Sequence, residues 1–405
     1  MVKPWDTATI GAFLDFKNGL NKGKDFFGHG TPIINYTDVY KKRGLKKNDV
    51  CGKVSLTRDE IHRFDAQKND VFFTRTSETP EEVGMSSVLL EDIDDCVFSG
   101  FVLRGRPKND MFVPEYCKYC FTTEAVRSAI IMGCTYTTRA LTNGKQLSTI
   151  EIVVPPKPEQ EAIAKSLTEI DELISSLEKL ITKKKAIKQG AMQELLTGKR
   201  RLPGFSGEWS KCKLGSLGVF LKGAGISRND SNSGNLPAVR YGELYTKHRN
   251  YVNSYFSHIS KEVASNAQRV YRGDILFAAS GETKEDIGKC SAIIYETAAY
   301  AGGDILIFRP TAQLDPVFMG TLLNMADARK QRAEQGQGDA VVHIHADALS
   351  SISIMIPNIE EQQAIAEILI GMDKEIELLE RKLEKYRQVK QGMMQQLLTG
   401  NIRLV

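Results

Sequence analysis

Apolar positions change their period twice along this chain, and in the same way each time. Through residues 1–150 and again through 204–351 they fall in short β-branched or aromatic runs such as AIIY, DILIF and IEIVV, broken by Gly, Asn, Asp and Ser clusters. These runs predict strands and loops, and MADARKQRAEQ from Met325 predicts a helix among them. After each such region the spacing switches to alternating steps of four and three. The first series is Ile163, Leu167, Ile170, Ile174, Leu177 and Ile181. The second is Ile365, Leu369, Met372, Ile376, Leu379, Leu383 and Tyr386. That spacing draws one narrow apolar seam down each of two long helices, the coiled-coil pattern. Both helices open just after a proline with acidic residues in the first turn, become rich in Lys or Arg, and close near the Gly of LLTG, in keeping with the helix dipole.

The two long segments are copies. EQEAIAKSLTEIDELI from Glu159 returns as EQQAIAEILIGMDKEI from Glu361, and the match runs ungapped from Ser148/Ser350 to Leu202/Leu404 with about half of its positions identical. Weaker matches extend it through the globular parts. Trp5 and Trp209 lead to Ile10-Gly11 and Leu214-Gly215. PIINYTDVY from Pro32 answers PAVRYGELY from Pro237, and NDVFFTRTSETPEEVGM from Asn69 answers GDILFAASGETKEDIGK from Gly273. Arg-Pro steps stand at Arg106 and Arg309, and a last strand enters a proline in STIEIVVPP and SSISIMIPN. The expected class is α+β: mixed α/β globular domains at 1–150 and 204–351, with helical segments at 151–203 and 352–405. A single-seam charged helix needs a partner, and the evident one is its own repeat. Antiparallel pairing with pseudo-two-fold symmetry is expected. Each helix, on the order of 55 Å from Glu159 to Leu195 at ~1.5 Å per residue, exceeds one ~34 Å turn of duplex.

Composition narrows the classes. With 405 residues, 41% hydrophobic and 26% charged, the chain has the make-up of an ordinary folded protein. No apolar run nears the ~18 residues of a membrane span. MVKPWDTATIG has none of the regions of a signal peptide, and seven irregularly spaced cysteines suit a reducing cytoplasm. Catalytic signatures are missing: there is no GxxxxGK[ST] loop, no G-x-S-x-G elbow, and Pro155-Pro156 lacks the residues that flank an amino-methyltransferase site. Lys222-Gly223-Ala224-Gly225 reads as a loop. Metal cues are isolated. Cys117 and Cys120, with Cys134 nearest, have no second pair at zinc spacing, and His343 and His345 read as polar surface or a DNA contact. No catalytic residue, metal or cofactor is expected on this chain.

A net charge of +4 does not by itself argue for nucleic acid, but basic residues recur in matching loops. The first half offers Lys22, Lys24, Lys42, Arg43, Arg75 and Ser77. The second offers Arg228, Arg240, Lys247, Ser280, Lys284 and Arg332. Lys and Arg supply affinity through phosphates, and Arg or Ser at base edges supplies specificity. The helices match far better than the globular parts, so two similar scaffolds with dissimilar loops would read two different short sequences.

The layout resembles the specificity (S) subunit of Type I restriction–modification systems. The resemblance rests on P-x-x-x-E-Q-x-A-I-A at Pro155 and Pro357, QG-x-M-Q-x-LLTG at Gln189 and Gln391, RLPGFSGEW from Arg201, and GDILF-x-x-SGET from Gly273, and it covers essentially the whole chain. It implies a non-catalytic subunit whose two target recognition domains each read a few base pairs of double-stranded DNA in an asymmetric bipartite site. The helices would set the spacer and dock two methyltransferase subunits. S-adenosylmethionine would be held by those partners, and magnesium and ATP by partners including restriction subunits. The rival reading is a stand-alone DNA-binding transcriptional regulator, which predicts specific binding without co-purifying methyltransferase.

Overall fold

The computed structural model describes residues 5–338 and 341–405. The first four residues, Asp339 and Ala340, the last at the head of AVVHIHAD, lie outside them. The chain divides into two compact units, one formed by residues up to Lys179 with Arg381–Val405, the other by Leu180–Glu380. The long helices, Lys157–Leu195 and Ile359–Leu397, each give one portion to each unit. Among the described residues no helix is long and apolar enough to cross a membrane.

The first unit is organised by a five-stranded sheet in the order Leu14–Asn18, Val102–Pro107, Val71–Thr74, Ser86–Leu89, Gly44–Leu45. The second has the same arrangement: Gly218–Lys222, Ile305–Pro310, Ile275–Ala278, Cys290–Ile293, Tyr251–Val252. In both sheets the last strand joins in parallel and the other pairings are antiparallel. The central strands VFFT and ILFA are buried along their whole length. Val71 and Phe73 pack into one cluster and Phe72 into another; Ile275 and Phe277 likewise face away from Leu276 and Ala278. A sheet covered on both faces gives unbroken apolar runs rather than alternation, which is how these strands read in sequence.

The tryptophan segments also pair alike. Asp6–Thr9 lies antiparallel to Glu151–Val154, and Ser210–Lys213 to Ser353–Ile356, so each globular part is closed by the strand that leads into a long helix. Trp5 packs against Gly400 and under Arg403, and Trp209 against Gly198 and under Arg201. These glycines have φ of +74° and +67°, the left-handed conformation that ends a helix, where a Cβ is penalised.

The repeated Glu-Gln has a structural cause, because all four residues are buried. Gln160 donates to the carbonyls of Pro155 and Met111 and accepts from Val113 N–H; Gln362 donates to Pro357 and accepts from Asp315 N–H. Glu159 accepts from the amides of Leu404 (2.7 Å) and Val405 (3.1 Å), whereas Glu361 accepts two 2.6 Å bonds from Arg201. Each helix start is thereby tied to the chain that follows the end of the other helix.

The helices pair antiparallel within each unit. In the first, Asp171 meets Lys390 (2.6 Å) and Glu178 meets Arg387 (2.7 Å); in the second, Lys184 meets Glu375 (2.6 Å) and Lys188 meets Asp373 (2.5 Å). Numbers rise on one helix as they fall on the other. Ile170, Leu177, Ile181, Ile376 and Leu383 are buried, and Ile174, Met372 and Leu379 half-buried. Ile163 and Leu167 pack into the globular core of the first unit beside Leu397 and Leu398. Ile365 and Leu369 do so in the second beside Leu195 and Leu196. The seam is therefore two-part: its first positions anchor a domain and its later ones meet the partner helix.

Candidate nucleic-acid interface

The SET loops, carrying Ser77-Glu78-Thr79 and Ser280-Gly281-Glu282-Thr283, sit on equivalent supports. In the first unit Thr76–Ser77 pairs with Ala140–Leu141, and in the second Ser280–Gly281 pairs with Val342–His343. A tyrosine from the preceding short helix braces each loop. Tyr40 donates to Glu82 (2.7 Å), whose carboxylate also accepts from Ser77 (3.3 Å). Tyr245 donates to the carbonyls of Ser280 (2.9 Å) and Asp286 (3.2 Å). Burial pushes the Tyr245 phenol up, so it stays a donor. An arginine from a later helix clamps the following turn: Arg127 donates to the carbonyls of Glu81, Val83 and Gly84, and Arg332 to those of Ile287 and Leu323.

That clamp corrects one expectation. Arg332 is 1% exposed and spends its guanidinium on backbone carbonyls, so it has no surface to offer a phosphate. Ser77 and Ser280 are also buried, Ser280 Oγ lying 2.9 Å from His343 Nδ1. They shape the loops rather than project from them. Arg43 is half-buried against the Ser86 carbonyl, and burial lowers its pKa. Arg75 reaches the Gly100 carbonyl (3.4 Å), and Arg240 is held by Ser257 and Glu243.

The remaining candidates face solvent to differing degrees. Lys22 pairs with Glu60 (2.6 Å) over the Phe26 ring, Lys42 pairs with Asp49, and Lys247 lies over Phe256. Lys24, Arg228 and Lys284 are exposed, with no ion-pair partner among the described residues. The twelve candidates thus do not converge on one point; their partners lie on different loops. Two further groups lie outside those twelve. A cavity of about 380 Å³ in the first unit is bordered by the stacked Tyr36 and Tyr40, by Phe101 at 57% exposure, and by Arg139. In the second unit a cavity of about 690 Å³ is bordered by Arg249 and Lys289. Arg249 was legible as part of the KHR run; Arg139, Phe101 and Lys289 carried no cluster signal.

The cysteine pair is a core feature. Cys117 and Cys120 are buried among Tyr116, Phe121 and Ile130, and burial pushes the Cys120 thiol well above its ordinary value. Among the described residues no group of three or more His, Cys, Asp or Glu is placed to hold a metal ion.

These features define an internally duplicated α+β protein in which two like-folded units, bearing unlike loops, share an antiparallel pair of helices. A family model described as the Type I restriction modification DNA specificity domain matches residues 3–189 and again 206–387. The chain belongs to that family, as a specificity subunit of the Type I restriction–modification kind. It is 24% identical to the putative type I restriction enzyme MjaX specificity subunit of Methanocaldococcus jannaschii over 422 residues, covering 99% of this chain and 94% of that one. It is 27% identical to the MjaVIII specificity subunit of the same organism over 282 residues, spanning 64% of each chain and so under two thirds of that relative. The crystal structure of a Type I restriction–modification S subunit from M. genitalium matches with a TM-score of 0.59 over 97% of this chain and 96% of that chain at 14% identity. At that identity the likeness is one of fold.

Proposed function

We propose that this chain is the DNA-reading part of a Type I restriction–modification complex and recognises an asymmetric bipartite site. Residues 1–150 and 204–351 are the target recognition domains, each reading one half-site through loops around Thr76–Thr79 and Ser280–Lys284. Segments 151–203 and 352–405 are the helical spacers that fix the number of unread base pairs and dock two methyltransferase subunits, with restriction subunits joining the full complex. The chain performs no chemistry of its own. S-adenosylmethionine, magnesium and ATP belong to its partners, and the assembly works in the cytoplasm.

The carrying observation is the contrast between framework and loops. Tyr40 and Tyr245, and Arg127 and Arg332, brace the two SET loops from matching positions of the repeat, while the exposed groups around those loops differ. In this reading Lys24, Lys42, Lys247, Arg228 and Lys284 would meet phosphates, which orient a reader without carrying sequence information. Domain exchange tests the reading. Replacing residues 1–147 with the corresponding part of another family member, co-expressed with the methyltransferase, should change one half of the methylated motif found by sequencing genomic DNA. A change in both halves refutes independent readers.

A further inference from the structure

Within the second unit, the later portion of the first long helix, the start of the second and the globular part enclose a cavity of about 690 Å³. Its border carries Lys185, Lys188, Arg249, Lys289, Arg329 and Arg332 against the carboxylates of Asp286 and Asp373. Several cations are already engaged: Lys188 with Asp373, Lys185 with Glu380 (2.6 Å), and Arg329 with Asp286 (3.6 Å). Three form no ion pair: Arg332 is sealed on the carbonyls of Ile287 and Leu323, which leaves Arg249 and Lys289 for the cavity. The Arg249 side chain is exposed and makes no hydrogen bond or ion pair among the described residues. Lys289 is half-buried and donates only to the neutral carbonyl of Tyr245 (3.0 Å). Neutral amides of Gln189 and Asn250 complete the wall.

Such a site is built for an anion. Partial burial lowers the Lys289 pKa, the Asp286 and Cys290 charges pull the other way, and Arg249 adds a smaller lowering, so Arg249 and Lys289 oppose one another. An anion between them would remove that repulsion, and a concave, partly desolvated setting strengthens the attraction. The identity of the anion follows from the neighbours. Tyr245 and Asp286, on the same border, are the residues that brace and end the Ser280–Asp286 loop. A phosphate held beside a base-reading loop sets the register of that loop on the duplex.

We propose that this cavity seats a backbone phosphodiester of duplex DNA next to the half-site read by the second domain, with Arg249 as its principal ligand and Lys289 as the second. The proposal rests on the DNA-reading function above and adds a contact that carries no base preference. Arg249→Ala tests it because that side chain has no internal bonds to lose. The full chain, with its methyltransferase partners, is titrated with a duplex carrying the bipartite target and with a scrambled duplex across a salt series. The variant should bind both duplexes more weakly by the same factor, and the slope of log K against log salt should fall by about 0.9, one phosphate contact. Its melting temperature should be unchanged. Ethylation of one phosphate flanking that half-site should block the wild-type protein and leave the variant indifferent.

An unchanged slope and interference pattern in a normally folded variant overturns the proposal. Preference lost at a single base position would make Arg249 a base reader and overturn it as well. Intact DNA binding with lost methyltransferase would assign the cavity to an acidic protein segment. Intact DNA binding with lost binding of ATP or inorganic phosphate would assign it to a free anion. If the wild-type complex selects no two-part target at all, the DNA-reading function fails instead.

Discussion

Removing Arg309 should unsettle the second unit more than neutralising its partner does. Arg309 belongs to the repeated Arg-Pro step and Asp274 to the repeated strand entry. The guanidinium grips the carboxylate through Nε (2.9 Å) and Nη2 (2.7 Å). The Asp274 side chain is 3% exposed and that of Arg309 30%. Arg309→Ala therefore strands a carboxylate that cannot turn to water and keeps only the Tyr271 amide as donor. Breaking a fully buried pair in this way costs about 3–5 kcal/mol. The exposure of Arg309 lets water take part of its place, so roughly 2–3 kcal/mol is expected. For a unit of this size that is a fall of about 4–12 °C in melting temperature. Asp274→Asn leaves the guanidinium free to swing into solvent and should cost about 1 kcal/mol. Trp5 and Trp209 are the only tryptophans, one in each unit, so Trp5→Phe makes fluorescence a local probe of the second unit. In that background, a loss from Arg309→Ala equal to or smaller than that from Asp274→Asn refutes the argument. The first unit supplies an internal control. There Asp70 is shared by Arg106 (2.8 Å) and Arg104 (4.0 Å), with Asp65 joining both, and Arg106→Ala should cost less because Arg104 remains.

Two further outcomes are expected. His248 is buried, and neither ring nitrogen has a partner among the described residues; burial lowers its pKa against the opposing pull of Glu243, and Lys289 adds to the lowering. It is neutral in the fold, so below about pH 6.5, the ordinary histidine value, the unfolded chain takes up a proton that the folded chain refuses. Stability of the second unit should fall as pH drops through that range, and His248→Gln should reduce the dependence in Trp209-monitored urea titrations at pH 7.5 and 5.5; equal slopes would exclude His248 as the cause. Gly190 and Gly392 recur at the same place in both long helices, with open space where a Cβ would stand. Each helix-interior glycine costs about 1 kcal/mol against alanine. The double Ala variant should therefore be more stable by about 1–2 kcal/mol yet retain less methyltransferase on co-purification; undiminished retention would show that no partner approaches there.

What could be read in advance follows from how local each signal is. The long helices were legible because a period of three and four is a property of one segment, whereas their direction was only a preference, since a repeat also allows a parallel pair. The strands at AIIY, DILIF and IEIVV were legible as short β-branched runs. The reasons behind Glu159-Gln160 and Glu361-Gln362, or behind the two Arg-Pro steps, were not, since their partners lie far away in sequence: Leu404 and Arg201 for the glutamates, Asp70 and Asp274 for the arginines. The candidate interface suffered most. Arg332 and Arg249 are both arginines near basic neighbours, yet one is consumed by the carbonyls of Ile287 and Leu323 while the other has no internal partner. Only tertiary packing separates them.

That separation also bears on how one scaffold could carry the two readers proposed above. Tyr40 and Tyr245 enter from the short helix before the central strand, and Arg127 and Arg332 from a helix after it, so each SET loop is fixed at both sides by groups outside the loop. Its backbone position then no longer depends on what its exposed side chains are. Thr74-Arg75-Thr76 stands in one half where Ala278-Ala279-Ser280 stands in the other, and the central strand and loop ladder persist around both. Exposed residues are free to differ because the buried clamps are not asked to read anything. The long helices have no such freedom: an altered seam residue on either must still fit the same partner helix, and Glu159 and Glu361, both buried, must each keep their donors, the Leu404 and Val405 amides or the Arg201 guanidinium. Strong similarity in the helices and weak similarity in the globular parts is the divergence these two kinds of constraint would leave.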